Sequence, residues 1–334
     1  MASNNGLIFV QIASYRDWEL LPTVKNLVEN CSNPDRLRFG ICWQHDPADE
    51  WDKFGELYCN DYRFRIVDVP HKDSKGCCWA RNLLQQQYKG EQFTLQLDSH
   101  HRFFPLWDVH LENMYHQLVI NGHPKPLLTA YLPSYEPEND PMGRSLDFWQ
   151  NSICGFSEEG IVTFRPTWID KNVDLNKPVP ARFYSAHFAF TTGDFCYEVP
   201  HDPFYYFIGE EINITVRAFT NGYEPFHPNM VVAWHEYTRK HRVKQWDDDK
   251  EWHIKDQEAK KRHQIIFGLC DSNGISIGNN FQLGNQRSLN DYEKYAGLKF
   301  ETQQVTEDAL LSKPPSLKNL DIEHNDWTKM LKNF

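Results

Sequence analysis

Residues 94–103, with the sequence TLQLDSHHRF, place three polar side chains where an apolar run ends. Asp98, His100 and His101 lose hydration if this run is a buried strand, so each needs a compensating partner. Asp98 and His100 are two residues apart, which places them on one face of a strand, about 6.6 Å apart along it. Where the strand ends and the chain curls, a carboxylate and an imidazole can converge on one cation. This pair suits a divalent ion such as Mn²⁺ better than Ca²⁺, which prefers oxygen ligands.

A third ligand for such an ion is offered by His235. It lies in the apolar run NMVVAWHEY (residues 229–237), which is predicted to be a strand. A structural interpretation competes with this one, because D-x-H triplets are common and an aspartate at a strand end often caps the following helix. Spacing alone leaves both interpretations open.

Two adjacent carboxylates form a second candidate group. Glu210 and Glu211 follow Gly209 at the start of a helix predicted over residues 208–220. Acidic side chains stabilise the positive end of a helix dipole, which is a sufficient structural reason for both. The same pair could also bind sugar hydroxyls or orient an acceptor.

The segment SKGCCWAR (residues 74–81) opens another predicted helix and forms a third candidate group. Gly76 would expose backbone N–H groups to a phosphate, and Arg81 could add a forked contact. A single glycine before a helix is a nonspecific signal, and Arg81 also fits a surface ion pair.

The elements that must position these residues alternate between strand and helix. Strands are predicted at residues 7–14, 37–44, 62–70, 93–100 and 126–133, and helices at residues 22–31, 76–88 and 105–119. This alternation is typical of a parallel, doubly wound α/β sheet. Ligands bind such sheets at the carboxyl ends of the strands, and Asp98 lies at one of those ends.

The rest of the chain changes character twice. Residues 134–182 are rich in proline and show little periodicity, so we expect a long functional loop that serves as a lid or acceptor-binding region. Periodicity returns over residues 183–310, and the chain beyond residue 240 is charged and helical. The final residues, 311–334, have no strong pattern and are expected to form a loosely packed tail.

Composition limits the possible partners. The formal net charge of −11 argues against a nucleic-acid-binding protein. No apolar run approaches the roughly 18 residues that span a bilayer, and the N-terminus lacks the features of a signal peptide. We therefore expect a cytoplasmic protein without membrane or nucleic-acid partners. The eight cysteines form no CxxC pair and are expected to be reduced thiols.

Six motifs in one order resemble those of the UDP-GlcNAc-dependent polypeptide N-acetylglucosaminyltransferases, whose cytoplasmic members modify hydroxyproline on a ubiquitin-ligase adaptor. The motifs are IASYRD (12–17), GCCWARN (76–82), QLDSHHRF (96–103), EVPHDPFYYFIGEE (198–211), GYEPFHP (222–228) and WHEYTR (234–239). RSLNDYEKYAGLKF (287–300) is similar to the C-terminal block of that family. The resemblance covers about residues 7–300. It implies a GT-A fold, in which a mostly parallel nucleotide-binding sheet is flanked by helices.

The resemblance also implies a domain plan. A single GT-A catalytic domain would occupy residues 1–310, with its nucleotide-binding half at about 7–133. The acceptor or lid region would lie at about 134–182 and the second half at 183–310, followed by the tail at 311–334.

The family's site residues carry over by position. Asp98, His100 and His235 correspond to the ligands of a divalent cation, and the histidine of the triplet favours Mn²⁺ over Mg²⁺. Arg16 and Asp17 would meet the uridine of UDP-GlcNAc, and Arg81 the pyrophosphate or sugar. The implied donor site as a whole comprises Ala13, Ser14, Tyr15, Arg16, Asp17, Lys75, Gly76, Arg81, Asp98 and Ser99. The implied catalytic residues are Glu210, Glu211 and Asp98.

By resemblance, the reaction is transfer of GlcNAc from UDP-GlcNAc to a hydroxyl of a protein, on hydroxyproline, serine or threonine, with retention at the anomeric carbon. Two alternatives stay open. The enzyme could use a polysaccharide or other glycan acceptor, or another UDP-sugar. The chain could also bind a sugar nucleotide without turnover, although such a protein would be expected to lose the metal ligands that are present here. Nothing in the sequence indicates the oligomeric state.

Overall fold

A computed structural model describes residues 6–238, 240 and 242–334. The first five residues of the predicted domain, and Arg239 of the WHEYTR motif, lie outside the described residues. The strands are β1 (Ile8–Tyr15), β2 (Leu37–His45), β3 (Phe64–Pro70), β4 (Phe93–Leu97), β5 (His101–Phe103), β6 (Pro126–Thr129), β7 (Trp149–Phe156), β8 (Val162–Trp168), β9 (Val179–Pro180), β10 (Phe188–Thr192), β11 (Glu224–His227), β12 (Ala233–His235), β13 (Leu298–Lys299), β14 (Gln304–Thr306) and β15 (Leu331–Asn333).

The helices complete the described elements. The α-helices are α1 (Leu20–Glu29), α2 (Phe54–Tyr58), α3 (Cys77–Gln85), α4 (Trp107–Ile120), α5 (Phe195–Glu198), α6 (Glu210–Thr220), α7 (Gln245–Asp248), α8 (Trp252–Ile266), α9 (Leu289–Ala296), α10 (Glu307–Leu310) and α11 (His324–Met330). Short 3-10 helices lie at Pro34–Arg36, His71–Asp73, Pro137–Asn139, Asn279–Phe281 and Leu317–Asp321.

The central sheet has the strand order β3-β2-β1-β4-β10-β6-β11-β9. Strands β1 to β4 pair in parallel, as the alternation of strand and helix predicts. The prediction of a mostly parallel sheet is confirmed; the exceptions are β10, which enters from the second half of the chain and pairs antiparallel with both β4 and β6, and the short edge strand β9. The result is a mixed α/β fold with a mostly parallel sheet.

Helices cover both faces of this sheet. The apolar residues of β1, β2 and β4 are almost wholly buried, which explains why their sequences read as continuous rather than alternating hydrophobic runs. One face packs against α1 and α4 through residues such as Val24, Leu27 and Leu111. On the other face, Ala80 and Leu84 of α3 pack against Cys42 of β2.

Residues 134–182 are not the long loop that the sequence predicts. Strands β7 and β8 form an antiparallel hairpin there, with an irregular register between Ile153 and Gly155. The short strand β9 then joins the edge of the central sheet beside β11. The register shift in β7, together with Arg165 and Pro166 in β8, interrupts the alternation of the hairpin, which is a reason that periodicity failed to find it.

The end of the chain is also better ordered than expected. Strand β15 pairs with β14, and the side chain of Trp327 in α11 is only 1% exposed. One buried tryptophan and a strand pairing therefore attach the segment to the rest of the fold, while most of its other side chains are exposed or half-buried. The division into a domain and a tail stays a prediction.

The cysteines agree with the expectation of reduced thiols. All eight cysteines are free, and Cys31, Cys42, Cys78 and Cys196 are buried. Within residues 6–238, 240 and 242–334, no helix combines the length and the apolar character that crossing a bilayer requires.

Candidate active site

A cavity of about 820 Å³ opens beyond the carboxyl ends of β1 and β4. Most of the residues that the sequence proposed for the site line this cavity: Ala13, Tyr15, Asp17, Gly76, Arg81, Asp98, Ser99, His100, Glu210, Glu211 and His235. Residues from five separate stretches of the chain thus meet at one edge of the sheet, where α/β folds bind ligands.

The proposed metal ligands converge although they lie far apart in sequence. Strands β5 and β12 pair antiparallel with His235 opposite His101, which brings His235 next to the Asp98–His100 turn. His235 Nε2 lies 3.3 Å and His100 Nε2 3.8 Å from Asp98 Oδ2. One ligand atom from each of the three residues lies within 4.8 Å of the ligand atoms of the other two. This donor set of one carboxylate and two imidazoles fits a divalent transition ion such as Mn²⁺.

The protonation states also suit a metal. Burial raises the pKa of the Asp98 carboxyl, but the hydrogen bond from His235 and the charge of Arg81 outweigh it and hold that pKa well below its ordinary value. Burial lowers the pKa of His235 well below its ordinary value, and the neighbouring His187 adds to the effect. An ionised aspartate beside a neutral histidine is the state in which both can act as ligands.

Asp17 fixes the orientation of His100. Its Oδ2 lies 2.7 Å from His100 Nδ1 and accepts hydrogen bonds from Ser99 Oγ at 2.7 Å and Arg242 Nη1 at 2.9 Å. The Nδ1–carboxylate contact leaves His100 Nε2 directed at Asp98. Histidines that bind metals are commonly held in this way by a carboxylate on the opposite ring nitrogen. The sequence assigned Asp17 to uridine and missed this contact, because it joins residues 83 positions apart.

Arg81 joins the metal group to the glutamate pair. Its Nη2 donates to Asp98 Oδ1 at 2.6 Å, and its Nη1 donates to Glu210 Oε1. The side chain is buried, so the alternative of a surface ion pair is wrong. His201 Nε2 also lies 3.1 Å from Glu210 Oε1. The carboxylates of Asp98 and Glu210 therefore hold the Arg81 guanidinium in the lining of the cavity.

The two adjacent glutamates differ in their electrostatics. Burial raises the pKa of Glu210, but the charges of Arg81 and His201 prevail and lower it to about 2. Burial and the negative charge of Glu210 raise the pKa of Glu211 to about 7, although Glu211 Oε1 accepts a hydrogen bond from the Ala186 N–H at 2.9 Å. Near neutral pH the pair thus contains one fixed carboxylate and one group that exchanges a proton.

Three predicted donor-site residues lie away from the cavity lining. Arg16 has a positive φ of 44° and forms salt bridges with Asp49 at 2.8 Å, Asp46 at 3.4 Å and Asp248 at 3.2 Å. Ser14 is buried, with its carbonyl oxygen accepting a hydrogen bond from Gln44 Nε2. Lys75 extends over the ring of Trp79, 5.9 Å from its centroid.

Aromatic residues that the sequence analysis did not identify form one wall of the cavity. Tyr206 lies before α6, and Trp246 and Trp252 belong to α7 and α8. Tyr15 fastens this wall to the end of β1, since its hydroxyl donates to Asp248 at 2.7 Å. The sequence signal for this wall was the presence of Trp246 and Trp252 in a charged segment. A charged segment forms no apolar core of its own, so large apolar side chains within it suggest a binding surface.

Comparison with known proteins identifies the family. The sequence model of the family described as Glycosyltransferase (GlcNAc) matches residues 7–54 and 52–302. The chain belongs to this glycosyltransferase family. No curated protein matches the chain significantly in sequence.

Comparison with solved structures finds similar glycosyltransferases. GalNAc-T7, in a crystal structure with UDP, GalNAc and Mn²⁺, matches with a TM-score of 0.56 and 11% identity, over 86% of this chain and 56% of that one. The chain thus spans about half of the GalNAc-T7 chain. TarS residues 1–349 of S. aureus match with a TM-score of 0.45 and 12% identity, over 82% of this chain and 75% of that one. GalNAc-T7 is a glycosyltransferase of the GT-A type, and the likeness to it confirms the predicted fold class.

The contact between Asp17 and His100 generates a first prediction. Asp17→Asn should weaken binding of Mn²⁺, in the presence of UDP, about 10- to 100-fold, because the amide no longer fixes the ring of His100 as a carboxylate does. Titration calorimetry measures the affinity directly, without turnover. Asp46→Asn serves as the control, since Asp46 contacts Arg16 and not His100. Equal Mn²⁺ affinities in wild type and a folded Asp17→Asn protein would refute the orienting role.

The raised pKa of Glu211 generates a second prediction. The folded protein holds this proton up to about pH 7, whereas the ordinary value is 4.5, so the folded state binds more protons between these pH values. The free energy of unfolding should therefore fall as pH rises across this window, by at most about 1.4 kcal/mol per pH unit from this group. Glu211→Gln should remove that part of the fall.

Urea unfolding of wild type and Glu211→Gln at a series of pH values measures the difference. The stability of the variant relative to wild type should increase from pH 4.5 to pH 7. Glu158→Gln, on the exposed turn between β7 and β8, is the matched control and should follow the wild-type curve. Parallel curves for wild type and Glu211→Gln would show that the folded state does not shift this group.

Proposed function

We propose that this protein is a metal-dependent glycosyltransferase that moves GlcNAc from UDP-GlcNAc to a hydroxyl of a protein acceptor, on hydroxyproline, serine or threonine. One observation carries the proposal. Asp98, His100 and His235 direct a metal-ligand set into a large cavity at the carboxyl edge of the sheet, in a chain of the Glycosyltransferase (GlcNAc) family. GalNAc-T7, which shares the fold, is solved with UDP, GalNAc and Mn²⁺.

The residues that would hold the ion are Asp98, His100 and His235, with Asp17 orienting His100. When bound, a divalent ion neutralises the diphosphate charge that makes UDP a poor leaving group. The positive charge of Arg81, at 2.6 Å from Asp98, lies in the same region and favours a diphosphate beside it.

Gly76 supports a close approach of the donor to the start of α3. It has φ of +109°, and a Cβ at this position would come within 2.8 Å of Tyr206 Cδ2 and 3.0 Å of the Tyr206 carbonyl oxygen. A side chain cannot fit there without displacing the cavity wall. The bare backbone at the N-terminus of α3 leaves N–H groups available to a phosphate, which is the role expected from the sequence.

The contacts of Glu210 favour positioning over covalent catalysis. Its Oε1 is occupied by Arg81 and His201, and its Oε2 lies 3.4 Å from Cys77 Sγ. A carboxylate held on both oxygens is a poor nucleophile. Retention would then proceed by attack of the acceptor hydroxyl on the face of the leaving group, with the departing phosphate oxygen taking the proton. Glu211, which exchanges a proton near pH 7, is suited to hydrogen-bonding a sugar or acceptor hydroxyl.

The acceptor would enter past the hairpin of β7 and β8. Residues Val162, Thr163 and Phe164 of β8 line the cavity, so this hairpin supplies part of the cavity wall. This placement agrees with the acceptor-binding role that the resemblance implies for residues 134–182. A cytoplasmic protein would be the acceptor, as the resemblance to the cytoplasmic members of the family implies.

The experiment that tests the proposal is release of UDP from a panel of UDP-sugars, which requires no acceptor because slow donor hydrolysis accompanies such transfer chemistry. Wild-type protein with Mn²⁺ should hydrolyse UDP-GlcNAc selectively, and EDTA should abolish the reaction. Asp98→Ala should lower the rate at least about 100-fold, since loss of a ligand removes several kcal/mol of charge stabilisation. Asp326→Ala, at an exposed surface aspartate of α11, should retain the wild-type rate.

Three results would overturn parts of the proposal. Selective hydrolysis of another UDP-sugar would contradict the donor and keep the mechanism. Hydrolysis that survives EDTA and Asp98→Ala would contradict the metal site. Absence of hydrolysis together with absence of Mn²⁺-dependent UDP binding would contradict the transferase itself.

A further inference from the structure

A second group of potential metal ligands lies at the start of α3, outside the Asp98–His100–His235 set. Cys77 and Cys78 are the first two residues of this helix, and their sulfur atoms are 3.9 Å apart. Cys77 Sγ also lies 3.4 Å from Glu210 Oε2. One ligand atom from each of the three residues lies within 4.8 Å of the ligand atoms of the other two. The proposed transfer reaction uses neither thiol.

These distances match the edges of a tetrahedral zinc site. With Zn–S bonds of about 2.3 Å, a tetrahedral angle separates two sulfur ligands by about 3.8 Å. With a Zn–O bond of about 2.1 Å, sulfur and oxygen ligands lie about 3.6 Å apart. The observed separations of 3.9 Å for the Cys77 and Cys78 sulfurs and 3.4 Å for Cys77 Sγ and Glu210 Oε2 are each within a few tenths of an ångström of these values.

We propose that Cys77, Cys78 and Glu210 form a second metal site, selective for thiophilic divalent ions such as Zn²⁺ and Cd²⁺. Two sulfur ligands favour these ions over Mn²⁺ and Mg²⁺, which prefer oxygen and nitrogen. The Asp98 set has no sulfur ligand, so the two sites differ in the ions they select. This inference rests on the geometry at the start of α3 and holds independently of the proposed transfer reaction.

The surroundings leave access to the site. Cys77 and Glu210 both line the cavity, whereas Cys78 is buried behind them against the apolar residues packed on α6. Three ligands would come from the protein, which leaves one tetrahedral position for water or a substrate atom, as in an open zinc site. The guanidinium of Arg81, hydrogen-bonded to Glu210 Oε1, offsets the negative charge of two thiolates and a carboxylate around one divalent ion.

A metal ion bound to Cys77, Cys78 and Glu210 would also affect the site that contains Asp98. A metal on Glu210 Oε2 shares that carboxylate with Arg81, whose other nitrogen holds Asp98. An ion bound to the thiols would therefore stand beside the donor cavity and alter one of its walls, so thiophilic metals are expected to compete with donor binding rather than assist it.

Titration with Cd²⁺ in excess Mn²⁺ tests the site through the ultraviolet charge-transfer absorption of cadmium thiolates, which Mn²⁺ and the Asp98 set do not produce. Wild type should bind one thiolate-ligated Cd²⁺ per chain. Cys77→Ser and Cys78→Ser should each lower the affinity of that signal about tenfold or more, because each removes one of the two sulfur ligands. Cys59→Ser, at an exposed cysteine away from the site, should leave the signal unchanged.

X-ray absorption of the zinc-loaded wild-type protein provides a measurement that needs no variant. Two sulfur neighbours at about 2.3 Å, with oxygen or nitrogen completing the shell, are expected. A zinc shell of oxygen and nitrogen alone would overturn the site, even if a serine variant failed to fold. An undiminished cadmium signal in folded Cys77→Ser would overturn it as well. Either result leaves the hydrolysis of UDP-GlcNAc untouched, so failure of this inference is distinguishable from failure of the proposed function.

Discussion

The site depends on one buried chain of charges that begins at Asp17 and ends at Glu210. Asp17 holds His100, His100 and His235 approach Asp98, and Asp98 holds Arg81, which in turn holds Glu210. Each of these groups would be costly to bury alone, and each is stabilised by a neighbour of complementary charge or hydrogen-bonding character. The ends of β1 and β4 and the starts of α3 and α6 must stay in place for this chain of contacts to persist.

This constraint explains how two adjacent glutamates acquire different properties. Arg81 donates a hydrogen bond to Glu210 and keeps it ionised. Burial and the negative charge of Glu210 then raise the pKa of Glu211 to about 7. A helix that presents consecutive carboxylates thereby offers a fixed anion and a proton-exchanging group side by side. The same Glu210 faces the two sulfurs at the start of α3, so a single carboxylate connects the donor cavity with the second proposed metal site.

Local patterns predicted the parallel half of the sheet well, since buried strands such as β1 and β2 read as continuous apolar runs between helices. They failed where pairing is non-local. The antiparallel insertion of β10 between β4 and β6 follows from contacts that periodicity does not record. The site shows the same division. The Asp98–His100 spacing indicated a metal group, but the contact of Asp17 with His100 and the wall containing Trp246 depend on residues brought together only by folding.

The central claim is that Asp98, His100 and His235 hold the divalent ion against which UDP binds. A crystal structure of the protein with UDP and Mn²⁺, measured for anomalous scattering from manganese, tests it most directly. The account predicts one anomalous peak in bonding contact with an oxygen of Asp98 and with Nε2 of both His100 and His235, beside the diphosphate. A manganese peak elsewhere in the cavity, or UDP bound without manganese at these three residues, would contradict it.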